Sequence, residues 1–498
     1  MTVMVTAWRI PSAMRSWPDF PAHEDFLDRF VGAFSATFAE AFFDAAFLAG
    51  FAGPFFAATF LAEAFFGATL FRAFFSGFAG PFFAVFAFAF FAWVLFGVAM
   101  VTRGYADATA SRYPARSMAT YFFETEEHAS LRAQARRFAE REIAPHAHAW
   151  EEAEEFPREL YGKLAETGLM GLGYPAEHGG GGGDVTHVLV ASEELVLAGK
   201  SVGTVVGLGS HGIALPPIVK FGTEEQIDRF VRPVLRGEKI AALAITEPSG
   251  GSDVASLRTK AVRDGDHYVV TGAKTFITSG VRADFVTCAV RTGGPQHGGI
   301  SMLVIERGTP GFSVSKKLKK TGWWASDTAE LHFEECRVPA KNLIGDENAG
   351  FVAIMANFVT ERLFLAGQCV AIAELAHREA LAYARERQAF GKSLTAFQVT
   401  RHKLADMATR IAAARALTAE VAMRYVRGEQ APQLAAMAKN TATDMCTYVV
   451  DQAVQIHGGY GYMREYVVER LFRDARLYPI GGGTREIMNE IISKAEGY

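Results

Sequence analysis

The spacing of apolar positions divides the chain into stretches of different period. From Ser130 to Ala149, Phe156 to Leu169 and Val185 to Ala198, apolar residues recur three and four apart with charged residues between them. That period predicts amphipathic helices. Thr223-Glu-Glu-Gln226 reads as a capping box opening a further one. Between 241 and 340 the period shortens. Tyr268–Val270, Phe285–Val290, Ile300–Ile305 and Leu331–Val338 are β-branched or aromatic runs separated by Gly, Pro, Asp and Asn. They predict an all-β domain that ends near Pro339 and Gly345. From 347 the helical period returns. Leu404, Met407, Ile411, Ala414, Leu417, Val421 and Tyr425 make one apolar stripe, as in a four-helix bundle, and such a stripe is expected to be core.

Two glycine patterns interrupt the helical half. Gly179 to Gly183 are consecutive and predict a flexible loop without a phosphate-binding signature. Gly207-Leu-Gly-Ser-His-Gly212 fits G-x-G-x-x-G, but a dinucleotide turn needs a strand before it and a helix after it. Pro216 and Pro217 stand where that helix should run, and both flanks read as helix. Small residues for close helix packing are the expected role.

The first hundred-odd residues are different in kind. Residues 35–100 are mostly Ala, Phe, Gly, Leu and Val, with FAGPFFA at Phe51 and again at Phe78. Of 41 phenylalanines, 25 lie between Phe20 and Phe96, and the first lysine is Lys163. No charge falls between Ala73 and Thr102, a run long enough to span a bilayer as a helix. One reading of 35–102 is therefore a membrane segment, although Pro54 and Pro81 would break its helices. The preferred expectation is a misassigned start or a dispensable extension over 1–117, because repetitive Phe/Ala tracts specify folds weakly. A start at Met118 would leave 381 residues.

Composition narrows the class. Half the residues are hydrophobic and 21% are charged, which excludes a disordered chain. With 50 basic and 54 acidic residues, charge gives no case for nucleic acid as partner. Cys288, Cys336, Cys369 and Cys446 lack CxxC or zinc spacing, so neither a disulfide framework nor a metal is expected.

The informative segments open the β domain. Ala244-Ile-Thr-Glu-Pro-Ser-Gly-Gly-Ser-Asp253 and Lys274-Thr-Phe-Ile-Thr-Ser-Gly280 offer backbone N–H groups, hydroxyls and the Phe276 ring to a flat, acceptor-rich ligand. Arg387-Gln-Ala-Phe-Gly391, Gln398, Gln455-Ile-His-Gly-Gly-Tyr-Gly461 and Arg473-Asp-Ala-Arg476 follow in order. Over about 120–498 this series resembles the acyl-CoA dehydrogenase family. The resemblance implies an α+β, mainly α fold: a helical N-terminal domain (118–240), a β domain (241–345) and a C-terminal helical bundle (346–498). It also implies FAD, an acyl-CoA substrate, an electron-transferring flavoprotein as acceptor, a homotetramer and a cytoplasmic location. By motif position, Leu243, Ile245, Thr246, Ser252, Phe276, Ile277 and Thr278 would hold the flavin, Phe276 replacing a more usual Trp. Arg387, Phe390, Gln398, Gln455, Ile456, Gly458 and Gly459 would reach the FAD of a neighbouring subunit, and Thr484 and Glu486 would complete the flavin site.

The family's reaction needs a carboxylate to remove an α-proton, and most members carry it in a Tyr-Glu-Gly-Thr segment. Here the chain reads Tyr478-Pro-Ile-Gly-Gly-Gly-Thr484, with Gly482 at the base position. Thr360-Glu-Arg-Leu-Phe-Leu-Ala-Gly367 resembles the long-chain and isovaleryl branches, where the base enters from a bundle helix. Glu361 is therefore the expected base, and Gly482 keeps a backbone N–H for the thioester oxygen. Ser252 is placed at the thioester arm, Arg362 near the pantetheine, and Gly483 beside the substrate. Gly481–Gly483 is read as leaving room for a long or branched chain. Two alternatives stand beside this reading: an acyl-CoA oxidase or flavin-dependent hydroxylase relative on the same fold, and a membrane-anchored scaffold with a flavin-binding module.

Overall fold

The computed structural model describes residues 120–429 and 431–498. The Phe/Ala-rich stretch, with the membrane-segment and start-site readings that fall on it, lies outside the described residues.

Helix α1 (Glu126–Glu142) starts at Thr125, whose side chain and that of His128 close a capping box. The predicted continuous helix over 130–149 is broken, because Pro145 removes a donor and imposes a 3₁₀ turn before α2 (Ala147–Ala153). Helix α3 (Glu159–Glu166) is followed by α4 (Val185–Gly199), which Asp184 caps by accepting from the Thr186 N–H at 2.8 Å. Helices α5 (Val202–Leu208) and α6 (Pro216–Phe221) complete the longer N-terminal elements. A side chain on Gly207 would start 2.6 Å from the Phe156 ring, so the glycine pattern serves helix packing.

The five-glycine run departs from expectation. It is packed: Gly181 N–H donates to Gly171 O at 2.8 Å and Gly182 N–H to Tyr174 O at 2.9 Å. A Cβ on Gly180 would lie 2.2 Å from the Tyr174 carbonyl oxygen. Close backbone approach, with bonds on both sides, makes it a pinned turn.

The β region runs β1 (Ala241–Ala244), β2 (Lys260–Asp264), β3 (His267–Thr278), β4 (Phe285–Arg291), β5 (Ile300–Glu306), β6 (Phe312–Lys317), β7 (Thr328–Pro339) and β8 (Leu343–Ile344). Their order is β6-β7-β3-β2-β4-β5-β8, with β1 parallel to β4. β2 meets β4 only at Lys260–Arg291, so two antiparallel halves hinge there. β3 is bulged twice against β7, and the second bulge falls between Lys274 and Ile277.

The C-terminal bundle is built on α7 (Gly350–Glu386), which packs against α4, α8 (Gln398–Val426) and α9 (Pro432–His457). Helix α7 is long and apolar enough to cross a membrane, yet its Cys369–Ala373 stretch is fully buried in the bundle. On α8, Leu404, Met407, Ile411, Ala414 and Val421 are buried, and Leu417 and Tyr425 border them. Helices α10 (Val467–Ala475) and α11 (Arg485–Glu496) flank the glycine segment. All four cysteines are free and buried.

Candidate active site

The two signature segments of the β region are welded together. Thr275 N–H donates to Thr246 O at 2.9 Å. Beneath that bond, the Lys274 ammonium donates to Ile245 O at 3.0 Å and to Glu247 Oε1 at 2.9 Å. Glu247 also accepts from the N–H groups of Arg258 and Thr259, at 2.7 and 2.8 Å. Burial pushes the Glu247 carboxyl up, but Lys274 and the Thr259 hydrogen bonds outweigh it and hold it below the usual carboxylate value. Sequence reasoning missed this buried pair. Its only signal was one acid in the first motif and one base in the second.

On this weld sits a polar ledge. Leu243, Ile245 and Thr246 are half-buried along the end of β1, and Ser252 is exposed beyond it. The β3 bulge gives Phe276 a φ of +60°, turning its ring outward to 69% exposure, while Ile277 turns into the core and Thr278 is half-buried. A positive φ at a phenylalanine costs on the order of 1 kcal/mol, so the sheet holds this ring where it would not settle alone.

The second part of the site lies between α7 and the glycine segment. Gly482 and Gly483 have φ of +66° and +94° and form an arch before Thr484, which caps α11 by accepting from the Ile487 N–H at 3.3 Å. Glu486 is exposed in the first turn of α11. Among the described residues no acceptor takes the N–H of Gly482. A Cβ on Gly482 would lie 3.4 Å from Glu361 Oε1 and 2.3 Å from Leu365 Cδ1. Glu361 and Leu365 are one turn apart on α7 and share a face. They occupy the space a side chain at 482 would need. A Cβ on Gly483 would lie 2.6 Å from Met488 Cε. The expectation that the glycines leave spare room is therefore corrected at both positions: the volume is filled from α7 and α11.

Burial pushes the Glu361 carboxyl up, against the opposing charges of Arg362 and Lys439. Arg362 is buried, with its guanidinium 5.1 Å from the centre of the Phe358 ring and its Nε unpartnered among the described residues. Lys439, on α9, is also buried and was not singled out from sequence.

The remaining predicted residues gather elsewhere. Arg387 follows the last turn of α7, some 26 residues after Glu361, which at 1.5 Å rise per residue puts the two ends roughly 40 Å apart. There Tyr383, Arg387, Ile456, Gly458, Gly459 and Met463 line an open groove of about 450 Å³. Arg387 lies 5.9 Å from the centre of the Tyr460 ring. Gln398 and Gln455 are exposed at the start of α8 and the end of α9, and Phe390, on the hairpin between α7 and α8, is 95% exposed. Among the described residues no His, Cys, Asp or Glu cluster could hold a metal ion.

A helical domain, a bulged sheet with an outward aromatic ring and a carboxylate-bearing helical bundle define a flavin-dependent CH–CH oxidoreductase fold. Residues 125–238, 242–336 and 348–497 match the N-terminal, middle and C-terminal domains of acyl-CoA dehydrogenases. An acyl-CoA dehydrogenase of Bacillus subtilis is 42% identical over 371 residues, covering 74% of this chain and 98% of its own length. A long-chain specific mitochondrial acyl-CoA dehydrogenase of Rattus norvegicus is 39% identical, over 74% of this chain and 86% of its own. The crystal structure of a probable acyl-CoA dehydrogenase from Mycobacterium abscessus superposes with a TM-score of 0.74 at 54% identity, covering 75% of this chain and 99% of that one. The chain belongs to the acyl-CoA dehydrogenase family, whose members bind FAD.

The residues present fit that cofactor. The Phe276 face, the Thr246 hydroxyl and the open backbone at Gly250 suit a flat, acceptor-rich ring. Gly459, beside which a Cβ would meet nothing within 4 Å, suits a bulky group in the groove.

Proposed function

We propose that this chain oxidises a fatty or branched-chain acyl-CoA to the trans-2-enoyl-CoA, with Glu361 as the base, and passes electrons to an electron-transferring flavoprotein. The observation that carries this is the Glu361 carboxylate standing beside Gly482, where the family's usual base would begin. FAD, when bound, supplies the acceptor for the hydride leaving the β-carbon. Leu243, Ile245, Thr246, Phe276, Ile277, Thr278, Thr484 and Glu486 hold it.

The chain's own part is to bind, orient and move one proton. Glu361 takes the α-proton into its carboxylate. A desolvated carboxylate is a stronger base than one in water, because the charged form loses its hydration. The Gly482 N–H donates to the thioester oxygen, where negative charge builds as the proton leaves. Ser252 faces the thioester arm, Arg362 the pantetheine, and Gly483 lets the arch pass close to the acyl carbons. The position of the base favours the long-chain or isovaleryl branch.

Arg387, Phe390, Gln398, Gln455, Ile456, Gly458 and Gly459 serve a second subunit in a homotetramer. Roughly 40 Å of helix separates them from Glu361 in one chain, and the exposed Phe390 and Tyr462 beside them suit a protein interface. The test of the base is Glu361→Gln holoenzyme mixed with a panel of acyl-CoAs. Yellow protein whose flavin absorbance persists supports the assignment, and bleaching at the wild-type rate defeats it.

A further inference from the structure

We infer that Lys439 is a positioning residue for the reaction: its ammonium holds the Gly482–Gly483 arch by the Gly483 carbonyl and faces the Glu361 carboxylate with a positive charge. The inference rests on the proposed base and adds a group that neither the sequence motifs nor the family description assigns.

Lys439 is 1% exposed, on a face of α9 whose neighbours Ala435, Ala436, Ala438 and Ala442 are equally buried. An ammonium removed from water among alanines is destabilising, and an apolar side chain of similar length would pack there at less cost. What the lysine contributes is a bond. Its Nζ donates to Gly483 O at 2.5 Å, joining α9 to the arch 44 residues later. A charge-assisted bond to a carbonyl is short and directional. It acts on a backbone that has little else to fix it, since glycines at φ of +66° and +94° have the widest conformational freedom of any residue. On one side of the arch, Gly481 N–H donates to Leu477 O at 2.9 Å. On the other, Thr484 begins α11. Lys439 pins the stretch between them, which carries the free Gly482 N–H.

Lys439 also brings charge to the site. The groups that bear on Glu361 are Arg362 from its own helix and Lys439 from the opposite one, and both favour the ionised carboxylate. The groups that bear on Lys439 are Cys369, Glu361 and Arg362, all from α7. Burial draws the Lys439 ammonium down to about 8, a fall that Cys369 and Glu361 oppose. The arrangement offsets part of the desolvation that disfavours the ionised base, and it fixes the oxyanion donor with the same ammonium.

Two substitutions separate the roles. In Lys439→Met both the bond and the charge go; in Lys439→Gln the amide can still donate to Gly483 O, but the charge goes. Both are assayed as holoenzymes beside Glu361→Gln, with FAD absorbance and melting temperature recorded. Lys439→Met is expected to lower kcat on the order of 10²-fold, with KM changed by less, and to move the acidic limb of the pH–kcat profile upward by about one unit. Lys439→Gln is expected to recover much of kcat on the plateau while keeping the displaced limb. A Lys439→Met enzyme with wild-type kcat and pH limb, while Glu361→Gln is inactive, overturns the inference and leaves the base assignment standing. A Glu361→Gln enzyme as fast as wild type instead overturns the base assignment. If neither Lys439 variant folds with FAD, the lysine is a structural strut and the positioning role is refuted.

Discussion

Glu361 Oε1 lies 3.4 Å from the point where a side chain on Gly482 would begin, and Leu365 Cδ1 lies 2.3 Å from it. The absence of a side chain at 482 and the presence of a carboxylate at 361 are thus one arrangement of a single volume. A carboxylate on the arch and one on α7 would compete for the same space and, if both were ionised, repel one another. Glu361→Gln keeps shape and fold while removing the proposed proton acceptor. It is expected to slow α-proton abstraction by about 10²- to 10⁴-fold, read as stopped-flow flavin bleaching, with FAD content unchanged.

Gly482→Ala tests the arch itself. Its φ of +66° is a conformation L-residues avoid, and the new methyl would meet Leu365 and Glu361. A loss of roughly 1–2 kcal/mol from the backbone alone is expected, visible as a lower melting temperature, together with reduced kcat. The companion substitution Leu365→Ala in the Gly482→Ala background should recover part of the activity by clearing the methyl's place. No recovery would show that the backbone conformation, and not the clash, sets the loss.

The pH dependence follows from the direction of the Glu361 shift. The unfolded chain releases that proton near the ordinary carboxylate value, whereas the half-buried, desolvated carboxyl in the folded state holds it to higher pH. Between those two points the folded state binds the extra proton, so stability contributed by this group falls as pH rises through the window. Glu361→Gln, which cannot ionise, is therefore expected to be more stable than wild type above the window. Its advantage should vanish below the ordinary carboxylate value. Urea unfolding from pH 4 to 7 measures this, and a difference that does not vary with pH would contradict it. Activity runs the other way: kcat/KM should rise with pH as the base ionises.

The sequence pattern carried the helices and the strands with two-sided burial, such as β4 and β5, because continuous apolar runs are hard to place elsewhere. It missed the two-residue β8, too short to show a period, and three further strands for separate reasons. β2 reads Lys-Ala-Val-Arg-Asp and buries only Ala261. β6, at the edge of the sheet, keeps little of its surface from solvent. β1 is made of Ala and Leu, which carry little strand preference. In the site, the pairing of Glu361 with Gly482 in one volume was legible because its segment and the glycine segment both departed from the usual pattern. Lys439 was not, since a lysine on an Ala-rich helix reads as a solvated face until its partner, far along the chain, is placed. The glycine arch was misread as spare volume for the same reason: Leu365 and Met488, which fill it, come from other elements.

The Glu247–Lys274 pair makes a prediction about the flavin ledge. Both side chains are at least nine-tenths buried, and Lys274 reaches both Glu247 and the Ile245 carbonyl. Lys274→Met leaves a buried carboxylate without its counter-charge, at an expected cost of about 3–5 kcal/mol. Adding Glu247→Gln removes the stranded charge, and the double variant should be more stable than Lys274→Met alone. Differential scanning calorimetry of the three proteins gives the comparison. FAD should be lost first from Lys274→Met, because the bond from Thr275 to Thr246 that aligns the ledge sits directly on this pair.

Separation along α7 makes the last prediction. In one subunit Glu361 and the Arg387 groove stand roughly 40 Å apart, so in the proposed homotetramer each flavin site would take its carboxylate from one chain and its groove from another. A chain lacking the base and a chain lacking the groove arginine are then each inactive alone, for different reasons. In a mixed pair, the Arg387→Ala chain supplies an intact Glu361, and the Glu361→Gln chain supplies an intact Arg387 to that same site. Co-expressing the two with different affinity tags, and purifying through both, should return measurable activity. In each mixed pair across a symmetric interface one of the two sites is complete and the other carries both defects. If each site were built within one chain, every site in the mixture would carry one defect or the other, and activity would stay at the level of the separate variants.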